Sequence, residues 1–161
     1  YTEDEIKAIN DKVDEILKKQ VNNSMSIEDK IKAIHDYIIN TTKYDVESEN
    51  NPYSNASTAI GVLFDHKATC NGYTDTMSMF LDRLNIKNVK ISNDTHIWNL
   101  VYINNKWLNL DVTWDDPVNN LNRDMLLHEY FLKTREEFNK IDSLNPKNKH
   151  VYDEAIYNFI D

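Results

Sequence analysis

Glycine is nearly absent from this chain: Gly61 and Gly72 are the only two in 161 residues. A Walker loop and a dinucleotide fingerprint each need several glycines so that backbone can approach phosphate, and nucleotide enzymes of those kinds are excluded. Cysteine is scarcer still. Cys70 stands alone, which forbids an internal disulfide and any multi-cysteine zinc or iron–sulfur centre. Such a thiol is either a core residue or a reactive group. Basic residues are outnumbered, 18 Lys and Arg against 27 Asp and Glu, for a formal charge of −9. That balance repels phosphate backbones, so nucleic acid is not expected as a partner. No run approaches the roughly 18 apolar residues of a membrane span, and the first twenty residues are acidic and amphipathic where a signal peptide would be basic and then apolar. Neither a span nor a signal peptide is expected. The opening Tyr1-Thr2-Glu3 carries no initiator methionine, so the chain reads as a mature or excised portion.

What is present fits one α+β domain over residues 1–161. Ile6, Ile9, Val13, Ile16 and Leu17 recur at helical spacing and predict a helix over residues 3–20. Ser26 and Asp29 cap a second helix, whose stripe of Ile27, Ile31, Ile34 and Ile38 ends near Thr41. Residues 43–55, polar and broken by Pro52, read as a surface loop. Tyr73, Met77, Phe80, Leu81 and Leu84 then mark a third helix, with Thr69 available as its N-cap and Cys70 in its first turn. After Asn85 the period changes to two. Strands are expected around Ile86–Ile91, His96–Ile103 and Lys106–Thr113, the last two joined by a two-residue turn at Asn104-Asn105. Farther on, Tyr130–Leu132 reads as an edge strand, Thr134–Phe138 as a short helix and residues 142–150 as a polar loop around Pro146.

A nucleophilic cysteine needs an environment that favours an anion, a base within hydrogen-bond reach and a group that orients that base. The first turn of a helix supplies free N–H groups and the positive end of the macrodipole beside Cys70. The hairpin supplies the rest. With Asn104 and Asn105 as the turn, Ile103 pairs with Lys106, His96 lies opposite Thr113 and Trp98 lies opposite Asp111. These four side chains share one face, and His96 and Asp111 are diagonal neighbours with Cα atoms roughly 7–8 Å apart, a gap their side chains can close. A one-residue slip would place them on opposite faces.

Gly61-Val62-Leu63 followed by Ala68-Thr69-Cys70-Asn71-Gly72-Tyr73, then Thr95-His96-Ile97-Trp98-Asn99, then Lys106-Trp107 and Leu110-Asp111-Val112-Thr113-Trp114-Asp115-Asp116-Pro117, resembles the bacterial transglutaminase-like superfamily over residues 27–138. The resemblance implies a papain-like α+β fold, with helices packed on a small antiparallel sheet and the nucleophile at a helix N-terminus. It further implies a triad in which Cys70 is the nucleophile, His96 the general acid and base, and Asp111 the orienting carboxylate. Asn71, where an acidic residue or Gln is commoner, and Ile97, where a small residue is usual, depart from the pattern without removing a triad group. Family members are frequently surface-attached or secreted, so an extracellular or cell-surface location is expected.

The function so read is cysteine-dependent acyl transfer on peptide or amide bonds through a thioester, with hydrolysis favoured. The alternatives are a cross-linking transglutaminase and a catalytically silent module that binds peptide or cell-wall material. A protein or peptide substrate, cell-wall peptide among the candidates, is the expected partner; no cofactor and no metal are expected. The oxyanion is assigned to the Cys70 amide plus an upstream donor. Gln20 is the only glutamine and the three tryptophans lie downstream, which leaves the Tyr53 hydroxyl. Trp98 and Trp114 are candidate groove residues. His66, four residues before Cys70, is the rival base. His35, beside Asp36, reads as solvated or packed locally. His128-Glu129 lacks the second histidine of a zincin because Leu132 occupies its place. Asp115-Asp116-Pro117 reads as the turn that ends a strand.

Overall fold

The computed structural model describes residues 1–117, 126–144 and 150–160. Helix α1 spans Glu3–Gln20 and opens on a reciprocal cap, in which the Thr2 side chain accepts from the Glu5 N–H and the Glu5 carboxylate reaches back to the Thr2 N–H. Helix α2, Ile27–Thr41, is capped by the Ser26 hydroxyl, which accepts from the Asp29 N–H at 3.1 Å. The segment expected to be one loop contains a two-residue strand β1, Lys43–Tyr44, parallel to β2, Lys67–Ala68. Between them lie short 3-10 turns at Val46–Ser48 and Asn55–Ser57 and a π-helical turn at Gly61–Asp65. Helix α3 is Cys70–Arg83, so Cys70 is its first residue.

Strands β3 (Asn88–Ser92), β4 (Ile97–Ile103) and β5 (Lys106–Leu110) form one antiparallel sheet in the order β3-β4-β5. Ile103 pairs with Lys106 and Asn99 with Leu110, as the turn arithmetic requires. Asn104 and Asn105 both take positive φ, 53° and 64°, the angles that let a two-residue turn follow the strand twist. The ladder stops short of the expected end. Residues 112–115 form a turn, because the Asp111 carboxylate accepts from the Trp114 N–H at 3.2 Å and folds the chain back on itself. Residues 130–133 run along the free edge of β5, joined by an isolated bridge between Asn109 and Lys133, and helix α4 covers Arg135–Leu144. Pro146 lies outside the described residues.

Both faces of the sheet are covered. Val101, Ile103 and Leu110 join a core with Ile9, Val13, Ile31, Ile34, Tyr73 and Phe80 from the three N-terminal helices. On the other face Ile91, Trp98 and Leu100 meet Tyr130, Phe138 and Tyr152. Among the described residues no helix is long and apolar enough to cross a membrane.

The two glycines sit where another stretch of backbone closes in. A Cβ on Gly72, in the first turn of α3, would stand 2.3 Å from the Ala56 carbonyl oxygen. That carbonyl also accepts from the Thr69 N–H at 2.9 Å, so it ties the start of α3 to the 3-10 turn behind it. Gly72→Ala is expected to destabilise the fold by about 1–3 kcal/mol as an overpacking change. Urea unfolding checks this; an unchanged midpoint would show that α3 does not need the contact.

Candidate active site

Cys70, half-buried at the start of α3, lies on the wall of an open cleft of about 650 Å³. No side chain caps this helix. The Thr69 hydroxyl is turned to the Ala56 carbonyl at 3.4 Å, and the first-turn N–H groups lack the usual side-chain acceptor. His96, one residue before β4, lines the same cleft, where the Cys70 sulfur helps to raise its pKa. Its Nε2 donates to Asp111 Oδ2 at 2.6 Å, so Nδ1 is the nitrogen left for sulfur. Cys70, His96 and Asp111 thus come together in the order the sequence predicts, drawn from a helix start, the approach to β4 and the end of β5.

The electrostatics follow from burial and pairing. Burial pushes the His96 imidazolium down, but the charge and hydrogen bond of Asp111, helped by the Cys70 sulfur, outweigh it and raise the pKa to about 10. For Asp111 burial acts upward, and the His96 charge with hydrogen bonds from His150 and His96 holds the carboxyl at about 2. His150, in the stretch read as a polar loop, is a site residue that the sequence does not reveal. Its Nε2 lies 2.6 Å from the same Asp111 oxygen, and its Nδ1 and backbone N–H meet the Asp142 carboxylate at 3.0 and 2.8 Å. It lies 40 residues beyond Leu110, the last residue of the hairpin, on the far side of α4, and no spacing signals it.

The other expected site residues divide. Trp114 lines the cleft, its ring centroid 5.5 Å from that of His96. Trp98 does not: it is wholly buried, donates from Nε1 to Asn109 at 3.0 Å and stacks beneath the His96 ring at 5.9 Å. It supports the site from the core because α4 and its neighbours cover that face of the sheet. Tyr53 is 94 % exposed at the tip of its loop and takes no part in the cleft. The upstream phenol that does line it is Tyr44, on β1 beside β2, whose hydroxyl donates to Glu49 at 2.9 Å. Burial, then the Glu49 hydrogen bond and charge, raise its pKa and keep the proton on oxygen. Thr113 also lines the cleft, with a buried hydroxyl that meets no protein partner. His66 ends the π-helical turn in a left-handed conformation, φ 58°, away from Cys70.

His35 is not solvated, and only one of its two partners is local. It is wholly buried, with Nδ1 2.8 Å from Asp36 and Nε2 2.9 Å from Asp115; Asp36 in turn meets His128 at 2.7 Å. Burial lowers the His35 pKa, and the two carboxylates reverse that and raise it. Asp115, enclosed, is raised by burial in spite of His35, whereas Asp36, nearer solvent, is lowered by its two imidazoles. The chain does turn at residues 112–115, after β5, and the Asp115 and Asp116 side chains reach beyond that turn. Asp115 accepts from His35 and the Tyr130 N–H, and Asp116 accepts from the Tyr73 hydroxyl at 2.6 Å. Two clusters among the described residues, His35-Asp36-His128 and His96-Asp111-His150, bring three metal-ligand types within 4.8 Å of one another. Their 2.6–2.8 Å contacts are hydrogen-bond lengths, shorter than the roughly 3.3 Å that separates two ligands of a tetrahedral ion. The carboxylates are therefore spent as acceptors.

The His96–Asp111 pair makes stability depend on pH with a fixed sign. His96, raised from 6.5 to about 10, contributes fully below pH 6.5, and that contribution disappears as pH rises through about 10. Asp111, lowered from 3.8 to about 2, contributes above pH 3.8 and loses it as pH falls through about 2. The stability difference between wild type and His96→Ala is therefore expected to be largest between about pH 4 and 6.5 and to shrink towards pH 10. Urea midpoints across that range check it; a difference that stays flat would mean the pair is not ionised as described.

Residues 14–112 match the family model described as the transglutaminase-like superfamily. No curated protein matches the chain. Among solved structures it is similar to a protein described as a TGase, at 24 % identity and TM-score 0.63, over 76 % of this chain and 36 % of that one. It is also similar to a candidate cysteine protease from Cytophaga hutchinsonii, at 22 % identity and TM-score 0.51, over 64 % and 37 % of the two chains. The chain thus spans little more than a third of either structure, and at these identities the likeness is one of fold. With the family match covering more than half its length, the chain belongs to the transglutaminase-like superfamily.

Proposed function

We propose that this chain is a cysteine-dependent acyl-transfer enzyme acting on peptide or amide bonds, with water as the favoured acceptor. The observation that carries the reading is that Cys70 and His96 line one open cleft, with Asp111 hydrogen-bonded behind His96. Cys70 sulfur, as thiolate, attacks the carbonyl carbon. His96 gives the proton on Nδ1 to the departing amine as the carbon–nitrogen bond breaks, leaving a thioester. His96 then takes a proton from water, which attacks the thioester, releases the acid and returns the thiol. Asp111 keeps the other ring proton on Nε2 and stabilises the imidazolium. The negative oxygen of each tetrahedral intermediate is assigned to the backbone N–H of Cys70, with the Tyr44 hydroxyl as second donor once its proton turns from Glu49 to the substrate oxygen. Water is favoured over an amine because the cleft at Cys70 is open to solvent. Cross-linking remains the alternative, and a groove that binds peptide without turnover is the third.

Among the described residues, the charged ones that line the cleft besides His96 are Glu49, Asp94 and Asp116, all acidic. Such a field raises the local concentration of cationic ligands and weakens with salt. The substrate assigned to it is therefore a peptide with lysine or arginine near the scissile bond.

Incubation with a diverse peptide library, with and without a primary amine, followed by mass spectrometry, tests the reaction. Products gaining the mass of water are expected; products carrying the amine would establish transglutamination instead. Cys70→Ala and His96→Ala are expected to abolish turnover, and Asp111→Asn to cut it by about 100-fold or more. Turnover surviving in Cys70→Ala would end the covalent mechanism, and an inert wild type that still binds peptide would establish the groove reading. Lysine-bearing peptides are expected to show a lower KM than glutamate-bearing ones, with the gap closing between low and high salt; equal KM values would remove the acidic lining as a determinant.

A further inference from the structure

We infer that His150 is a positioning residue for the reaction, acting on His96 through the carboxylate they share. The inference rests on the reading of Cys70 and His96 as nucleophile and base. Asp111 Oδ2 receives both Nε2 atoms at 2.6 Å, one from His96 and one from His150. Its other oxygen accepts from the Trp114 N–H at 3.2 Å. A carboxylate held at three points cannot rotate, so the direction in which it presents charge to His96 is set by His150 and the turn together.

His150 is itself fixed. It is buried, with Phe138, Trp98 and Tyr130 around its ring at centroid distances of 4.5, 4.7 and 5.2 Å. Asp142 grips it twice, accepting its backbone N–H at 2.8 Å and facing Nδ1 at 3.0 Å. Each ring nitrogen therefore faces a carboxylate, an arrangement satisfied when both nitrogens carry a proton or when one carboxyl does. The result is a line of contacts from His96 through Asp111 and His150 to Asp142, imidazole and carboxyl group alternating, with Cys70 lining the same cleft as His96. His150 touches neither the cleft nor the sulfur, so its effect on chemistry passes through Asp111. Both His150 and Asp142 lie beyond residue 112, where the family match ends, so a part of the chain outside that match completes the site.

The test uses substitutions that separate the hydrogen bond from the packing. His150→Phe keeps an aromatic ring among Phe138, Trp98 and Tyr130 but has no donor. His150→Gln carries an N–H at about the reach of the imidazole Nε2. The readout is the second-order rate of Cys70 alkylation by iodoacetamide at neutral pH, with His96→Ala alongside. His150→Phe is expected to slow alkylation about tenfold or more, the scale of one charge-assisted hydrogen bond lost from a buried carboxylate. His150→Gln is expected to stay within about threefold of wild type, a rescue that a purely space-filling residue would not show. If His150→Phe alkylates like wild type while His96→Ala does not, His150 is only packing and the inference falls. If His96→Ala also alkylates like wild type, the reading of the site falls and takes the inference with it. Should His150→Phe fail to fold, low-field proton NMR decides between wild type and His150→Gln: one ring N–H resonance is expected to vanish and that of His96 to move, whereas an unmoved His96 resonance would overturn the coupling.

Discussion

A carboxylate sealed from water has to be satisfied on every side, and in this protein that requirement falls on Asp111. His96, His150 and the Trp114 N–H meet it together. Each of those partners comes from a different stretch of chain: the approach to β4, the segment after α4, and the turn beyond β5. Removing one partner of a buried charge typically costs about 3–5 kcal/mol, so the fold cannot abandon this arrangement cheaply. The interaction that shapes the proposed chemistry is thus also one of those that hold the C-terminal segments against the sheet.

The turn that carries Thr113 and Trp114 into the cleft is gripped from its other end as well. Asp115 turns inward to His35 on α2 and to the Tyr130 N–H, while Asp116 holds the Tyr73 hydroxyl on α3. Residues 111–116 therefore fasten the sheet to two helices through polar contacts in places where an apolar contact would fix distance but not direction. Hydrogen bonds of this kind, enclosed and complete, specify geometry more tightly than packing alone. A cleft wall needs that, because Trp114 must stand at a set angle to His96.

Much of this was legible from residue order, and the reasons are local. The helix start at Cys70 follows from the apolar spacing of α3, and the meeting of His96 with Asp111 follows from two asparagines that accept positive φ and from strand alternation. What escaped depends on distant chain. Trp98 reads as a groove residue until α4 is known to cover its face of the sheet. The sequence singles out Tyr53 and passes over Tyr44, because only the pairing of β1 with β2 brings Tyr44 to the cleft. His35 looks like an ordinary helix histidine because its main partner, Asp115, lies 80 positions away. His150 gives no periodic or motif signal at all.

The loop that forms the far wall of the cleft is built differently from the floor. Between Val46 and Tyr53 it is held mostly by side chains of the loop itself: Ser48 to Asp45, Ser54 to Ser48, the Tyr53 N–H and the Ser57 hydroxyl to Asn51. Its apolar residues Val46 and Tyr53 face solvent. A segment with so little apolar burial opens at small free-energy cost, whereas the sheet and α3 beneath it open only near the cost of global unfolding. Amide protons in the wall will therefore trade with solvent deuterium long before those under His96. A wall looser than its floor leaves the alignment of sulfur and imidazole to α3 and the sheet.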